Sequence, residues 1–324
     1  RGSYTMAHRF IKELSEKESL DEVFLVSDKQ LRSNRQGNLY LQCELSDKTG
    51  AIGARMWNAT EETANHFDNG DFVRVQGTTQ VYQGALQLIA TRIAKADGAE
   101  ITEQDFCRLT SEDVERMAAR LQELLGTIND PALAALANAF LADDQLLEKF
   151  NRAPAGVKNH HAYHGGLLEH VVQLMEIVIR IGDLYPQVNG DLLLMGVFLH
   201  DIGKVDELAY DRQLSYTDEG QLLGHIVIAL RILENKLDQL NQQGQGVPDE
   251  TALRLKHLIA SHHGSLDFGS PTVPMTVEAV ALHYIDNLDA KINQITGLLR
   301  DDANVGSAWT QFHPNLGRKL YKGN

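Results

Sequence analysis

Two patterns of apolar positions divide the chain. From residue 39 to about 96 apolar and polar residues alternate, and after residue 110 the apolar positions recur every three or four residues. Leu39 to Leu45 alternates and runs into Ser46-Asp47-Lys48-Thr49-Gly50, which predicts a strand and a turn. Ala51 to Trp57 resumes as a strand, Glu61 to Phe67 predicts a short helix, and Asp71 to Gln76 alternates again. Val81 to Leu88 reads as a hairpin with its turn at Gln83-Gly84. Further on, Thr110 or Ser111 opens a helix with acids in its first turn, and Pro131 suits the first turn of another. Leu167 to Ile181 turns Leu167, Val171, Leu174 and Val178 inward and Glu169, Gln173, Glu176 and Arg180 outward. Asp191 to His200 is apolar nearly all round, which predicts a buried helix. Three more helices are expected: Gly224 to Leu240, one starting near Asp249 and closing at His262-His263-Gly264, and Thr276 to Leu299. Asn241 to Pro248 is rich in Gln and Gly and reads as a loop.

Five short strands with one intervening helix fit an OB-fold, a partly open barrel that often binds oligonucleotides. The Asp47-Lys48-Thr49-Gly50 hairpin and the Gly70-Asp71 pair before the next strand resemble the OB-folds of anticodon-binding and single-strand-binding modules. The expected fold class is multidomain α and β, a small OB-fold β-barrel followed by an all-α helical bundle. Boundaries are placed at 6–96 for the barrel, 97–150 for a helical linker and 151–324 for the bundle. Trp57, Tyr82 and Tyr40 are candidate rings for stacking bases, with Lys48, Arg55 and Arg74 as phosphate contacts. The competing role for such rings is to fill the barrel, and Phe72 is the ring expected there.

Composition removes several classes. A chain of 324 residues with 43% hydrophobic and 23% charged residues is that of a globular protein, not a disordered or collagen-like one. Two cysteines, Cys43 and Cys107, make no disulfide framework and suit a reducing compartment, the cytoplasm. The longest clean apolar run, Leu192 to Leu199, is too short to span a bilayer, and the N-terminus shows no apolar run of a secretory signal. Arg1 to Thr5 precede Met6 and read as vector-derived. The net charge is −14, and nearly all of the acidic excess lies after residue 100. That balance argues against a tight duplex-DNA binder and leaves room for a site that gathers divalent cations.

Histidine is distributed differently. Of 13 histidines, 11 follow residue 150. His170 lies beside the apolar face of its helix, and His200-Asp201 ends the all-apolar one. A buried carboxylate there needs a partner charge, which a metal or Lys204 would supply. His225, His262, His263, His283, Asp286 and Asp289 follow on later helices. Helical bundles build metal sites by projecting such side chains inward from several helices. Imidazole with carboxylate suits Mn, Fe, Co, Ni or Zn better than Ca.

A His on one helix, a His-Asp doublet on the next, further His and a late Asp form the signature of the HD superfamily. "APAGVKNHHAYHGGLLEHVVQ", "GVFLHDIGKVDEL", "YTDEGQLLGHIVIAL" and "IASHHGSLDFGSPTVPMTVEAVALHYIDNLDAKI", behind the OB-fold, resemble the YhaM family over nearly the whole chain. The resemblance implies an HD-domain bundle and metal-dependent 3′→5′ hydrolysis of single-stranded RNA, and often single-stranded DNA. It implies one or two divalent transition ions, manganese first. His170, His200, Asp201 and Asp286 would hold the first ion. His225, His262 and His263 would complete a second, with Asp201 bridging. His283 is an alternative ligand, with a supporting role favoured. Lys204 is placed to bind a nonbridging phosphate oxygen. His160 and His161 are candidates for phosphate contact or leaving-group protonation, against a structural role at the loop–helix entry. No membrane partner is expected, and the helical part has apolar surface enough for a homo-oligomer. Two other readings stay open: an HD-type nucleotide or cyclic-nucleotide phosphohydrolase, and a non-catalytic single-strand-binding protein.

Overall fold

A computed structural model describes residues 8–34, 36–82, 84–106, 108–156, 163–210, 215–300, 302, 304 and 307–323. Two compact units emerge, Arg1–Arg108 with Ile295–Asn324, and Leu109–Gln294.

The first unit is built on a closed five-stranded barrel, β1 (Ser19–Ser33), β2 (Leu39–Asp47), β3 (Gly50–Trp57), β4 (Phe72–Tyr82) and β5 (Ala85–Lys95), in the order β1-β2-β3-β5-β4. β1 pairs with β2 along one part (Leu25 opposite Ser46) and with β4 along another (Ser19 opposite Thr78), which closes the barrel. β3 and β5 run parallel, with Arg55 opposite Ile89. The alternation seen in the sequence is the inside-outside alternation of these strands. Phe24, Val26, Leu41, Leu45, Val73, Val75 and Leu88 fill the interior, and Phe67, just after the short helix α1 (Glu61–Asn65), joins them. Phe72 is not among them. It is half-buried against Phe106, with ring centroids 4.8 Å apart.

The second unit is helical. Its elements are α2 (Ser111–Leu125), α3 (Pro131–Leu141), α4 (Asp144–Arg152), α5 (Gly166–Ile181), α6 (Gly190–Leu199), the short α7 (Lys204–Glu207), α8 (Asp218–Gln242), α9 (Asp249–Ser261) and α10 (Val277–Arg300). α10 runs past Gln294, so its last turn is counted with the barrel. Thr110 caps α2 by accepting a bond from the Asp113 amide (3.1 Å), and Asp130 caps α3 ahead of Pro131. Leu121, Leu124, Leu133, Leu136, Phe140 and Phe150 share one core with α5 and α6. The compact units therefore differ from the expected boundaries at both ends of the bundle. Residues 109–152 bury their apolar faces in the helical core instead of forming a linker, and residues from 295 onward group with the barrel. No helix among the described residues is long and apolar enough to cross a membrane.

Candidate metal centre and nucleic-acid face

The centre is assembled on the most deeply buried helices. α6 is wrapped by core from Leu192 to Leu199, so its C-terminal His200 and Asp201 emerge inside the unit, 0% and 3% exposed. The turn that follows is possible because of Gly203. A Cβ at that position would lie 2.0 Å from the His225 carbonyl oxygen. Only a glycine lets this turn approach α8 so closely. On the other side, α8 breaks at Gly224, whose φ is +73°, and restarts at His225. The freed His225 amide donates to Glu207 Oε1 at 3.0 Å, and His225 Nδ1 lies 3.1 Å from the same oxygen. The expected helix from Gly224 thus begins earlier, at Asp218, with its kink at the functional residue.

Two groups of ligand atoms result, His170 with His200 and Asp286, and His225 with His262 and His263. Within each group they lie within 4.8 Å of one another. Asp201 lies between the groups. Its Oδ2 is 3.4 Å from His200 Nε2 and 3.9 Å from His170 Nε2, and its Oδ1 is 3.5 Å from His225 Nε2 and 3.7 Å from His262 Nε2. Asp286 Oδ1 stands 3.3 Å from His170 Nε2 and 4.0 Å from His200 Nε2. All seven residues singled out as ligands from the sequence come together here.

The opposite edges of the rings are engaged. Nδ1 of His170 bonds Asp289 Oδ2 (2.7 Å), that of His200 the Val197 carbonyl (2.7 Å), and that of His262 the Ile259 carbonyl (2.7 Å). Carbonyl acceptors fix the Nδ1–H tautomer at His200 and His262 and turn the Nε2 lone pair toward Asp201. Nε2 of His200, His225 and His262, Nδ1 of His263 and Oδ1 of Asp201 are buried without a hydrogen-bond partner among the described residues. Buried polar atoms are paired in the great majority of cases. Five of them spread over these two groups and the Asp201 between them fit bound cations, and their imidazole and carboxylate donors without a thiolate fit a divalent transition ion.

Protonation states agree with that fit. Burial pushes His262 well below its ordinary range, reinforced by His200, and burial lowers His263, reinforced by His225. Both offer lone pairs at neutral pH. Burial works against the charge of Asp201, yet Lys204 and His200 hold its carboxyl well below the usual range, and His170 does the same for Asp286. His170 loses to burial less than it gains from Asp286 and Asp289 and is raised to about 9. A cation binding there must displace a proton.

Lys204 does not stand free to meet a phosphate, as the sequence suggested. Its ammonium donates to Asp201 Oδ2 (2.6 Å) and to the Ala155 carbonyl (2.7 Å), and the side chain is 12% exposed. It positions Asp201. His283 bonds the His262 carbonyl through Nδ1 (2.9 Å) and so braces a ligand-bearing turn. His160 and His161 lie outside the described residues. Asp289, noted on the last helix but given no role, stands behind His170, and Glu207, which was not singled out, stands behind His225. Asp289 is one helical turn beyond Asp286, which was its signal, whereas nothing in the sequence marks Glu207 as facing a histidine 18 residues further on.

On the barrel, β2 and β3 point Tyr40, Gln42, Arg55 and Trp57 outward, since Leu41, Cys43, Ile52 and Ala54 point in. Tyr40 and Trp57 sit opposite each other with ring centroids 5.2 Å apart, and the Arg55 guanidinium is 5.8 Å from the Tyr82 ring. Trp57 is 47% exposed and Tyr82 50%. Arg74 is held by Asp21 and Glu100, each at 2.6 Å, and Lys48 by Asp105 at 3.4 Å and by the face of Phe10. Those two cations, proposed as phosphate contacts, are turned to local carboxylates.

The comparisons with known proteins match this division. Residues 25–96 match the OB-fold nucleic acid binding domain family, and residues 167–291 match the HD domain family. The 3′-5′ exoribonuclease YhaM of Geobacillus sp. (strain WCH70) is 35% identical over 308 residues, 94% of this chain and 92% of that protein. The chain belongs to the YhaM family. Among solved structures, the second OB-fold domain of replication protein A from Methanococcus maripaludis is 24% identical, with a TM-score of 0.23. It covers 28% of this chain and 95% of that one. The His-Asp doublet, His225, His262, His263 and His283 of this YhaM-family chain fall within the matched HD segment.

Proposed function

We propose that the chain is a metal-dependent 3′→5′ exonuclease that hydrolyses single-stranded RNA to nucleoside monophosphates. The observation that carries the reading is Asp201, whose two oxygens face two separate groups of lone-pair donors in a chain of the YhaM family. His170, His200, Asp286 and Asp201 Oδ2 would hold one divalent ion, and His225, His262, His263 and Asp201 Oδ1 a second. Manganese is favoured among the transition ions. When bound, such ions lower the pKa of water and neutralise charge on phosphoryl oxygens. The chain's own residues prepare that chemistry. Lys204 keeps Asp201 ionised and fixes its two oxygens on the two groups. Asp289 and Glu207 orient His170 and His225, and the Val197 and Ile259 carbonyls set the tautomers of His200 and His262. The core around α6 excludes bulk water and so strengthens each electrostatic contact. Trp57, Tyr40, Tyr82 and Arg55 would hold bases and backbone of the strand. Single-stranded DNA is a second expected substrate, and the cytoplasm the expected compartment.

The test is digestion of 3′-labelled and 5′-labelled single-stranded RNA by the parent chain and Asp201→Ala, with Mn²⁺ and with chelator. A ladder from the 5′ label, immediate mononucleotide release from the 3′ label, and loss of both in Asp201→Ala are expected. RNA left intact under every transition ion tried would overturn the proposal.

A further inference from the structure

We propose that the C-terminal hairpin, residues 307–323, is a second single-strand-binding surface that extends the barrel's aromatic face. The inference rests on the exonuclease reading and adds a site to it. In a chain of net charge −14, no Asp or Glu follows Asp302, while Arg318, Lys319 and Lys322 do. The segment is folded. Trp309 pairs with Tyr321 and His313 with Arg318 as antiparallel bridges, and the Thr310 amide donates to the Leu320 carbonyl (2.9 Å). Thr310 is fully buried, and its hydroxyl accepts from the Leu320 amide (2.9 Å). Lys322 anchors the base through Asp302 (2.7 Å) and the Asn304 carbonyl (2.7 Å).

What this scaffold displays is aromatic and cationic. The Trp309 and Tyr321 rings lie 5.1 Å apart at 56°, each about half exposed, and Phe312 is 56% exposed. Arg318 and Lys319 are exposed, with no acidic partner among the described residues. A hairpin that serves only to finish the fold would turn its large rings inward. Exposed rings beside unpaired cations are the combination that binds single strands, since every base has a face to stack and every linkage a charge. The occupant is therefore an anionic, base-bearing polymer, single-stranded RNA. Position supports the choice. The Gln311 amide lies 3.1 Å from where a Cβ on Gly84 would sit, so the hairpin adjoins the β4–β5 turn, two residues beyond Tyr82.

The chain has two tryptophans, so Trp57→Phe leaves Trp309 as the sole emitter. This full-length variant is titrated with an oligouridylate of roughly a dozen nucleotides, matching the range of single-strand site sizes, with phosphorothioates at its 3′ linkages. Binding is followed in parallel by anisotropy of a 5′ dye. The expected result is quenching of Trp309 in step with anisotropy. Arg318→Ser with Lys319→Ser should raise Kd about fivefold and reduce the slope of log Kd against log salt by about 1.4, at about 0.7 per phosphate. Saturating anisotropy with Trp309 emission unmoved and an unchanged salt slope overturns the inference and leaves the exonuclease reading standing. The hairpin would then face an acidic protein partner. Failure of every form to bind or cleave RNA overturns both.

Discussion

His170 Nδ1 and Asp289 Oδ2 lie 2.7 Å apart on the edge of the imidazole that faces away from Asp201. The carboxylate is itself held by Asn293, whose amide donates to Oδ1 at 3.1 Å. Such an outer partner raises the basicity of a ligand histidine and fixes its ring. Asp289→Asn keeps the shape and removes the charge. Metal affinity should fall by about 10- to 100-fold, the range found when an outer-shell partner is lost, and the unfolding midpoint of the metal-free chain should fall as well, because the buried His170 loses one of the two carboxylates that hold its proton. Calorimetric titration with Mn²⁺ reads the first, and thermal unfolding in chelator the second. Unchanged affinity would remove Asp289 from the centre.

Lys204 gives a different signature. Its ammonium donates to the buried Asp201 carboxylate, so Lys204→Met strips that charge of its hydrogen-bonded cation in the metal-free chain. Breaking a buried pair in this way costs about 3–5 kcal/mol. A bound divalent ion supplies the missing charge and binds only the folded state. Lys204→Met should therefore unfold at a much lower temperature in chelator and recover most of the difference with saturating Mn²⁺. An equal deficit in both conditions would mean that Lys204 supports the fold without acting through Asp201.

These two residues show what the sequence could and could not reveal. The ligands were legible because each is a rare residue type at a helix end or on an apolar face, as with His200-Asp201 closing a run that has no wet side. The barrel was legible from β2 to β5 because inward and outward positions alternate cleanly. β1 was not, because its second half carries Ser27, Asp28, Lys29 and Gln30 through a bulge, and its register is set by strands far along the chain. Lys204 was read as a phosphate contact because sequence gives neighbours and not direction. One turn of short helix aims it back at Asp201. The compact units do not divide at residue 150, for a related reason. The apolar stripes of α2 and α3 are visible in sequence, but what they bury against is a tertiary fact.

The barrel carries a pH dependence of its own. His8 Nε2 lies 3.6 Å from Asp47 Oδ2 and its Nδ1 lies 3.5 Å from Glu22 Oε2, with the side chain 9% exposed. Burial opposes its charge, but Asp47 and Glu22 outweigh burial and raise it from 6.5 to about 9. A raised folded-state value means that the proton stabilises the fold. That contribution is complete below the ordinary value and is lost as pH rises through the folded one. His8→Gln should cost on the order of 2 kcal/mol at pH 6 and much less near pH 10, by the linkage of pKa to stability. Urea unfolding of both chains at the two pH values measures it, and a deficit independent of pH would rule out the ion pair as its source.

The outward rings of the barrel should act on strand capture and not on bond cleavage. Trp57 is half exposed yet already lies against Tyr40, an arrangement that costs little further ordering when a base stacks on it. Base–aromatic stacking is worth about 1–3 kcal/mol per base, which corresponds to roughly 5- to 150-fold in affinity. Trp57→Ala should therefore raise KM for a long single-stranded RNA by about tenfold and leave kcat within about twofold, since the ring touches substrate equally before and during reaction. Tyr82→Ala should act in the same direction, with a further loss from the guanidinium of Arg55 that it orders. A dinucleotide brings no upstream strand for the rings to hold, so its KM should not move. Steady-state rates on the long RNA and the dinucleotide separate the cases. A fall in kcat on both substrates, with KM unchanged, would show that these rings support the barrel and do not hold the strand.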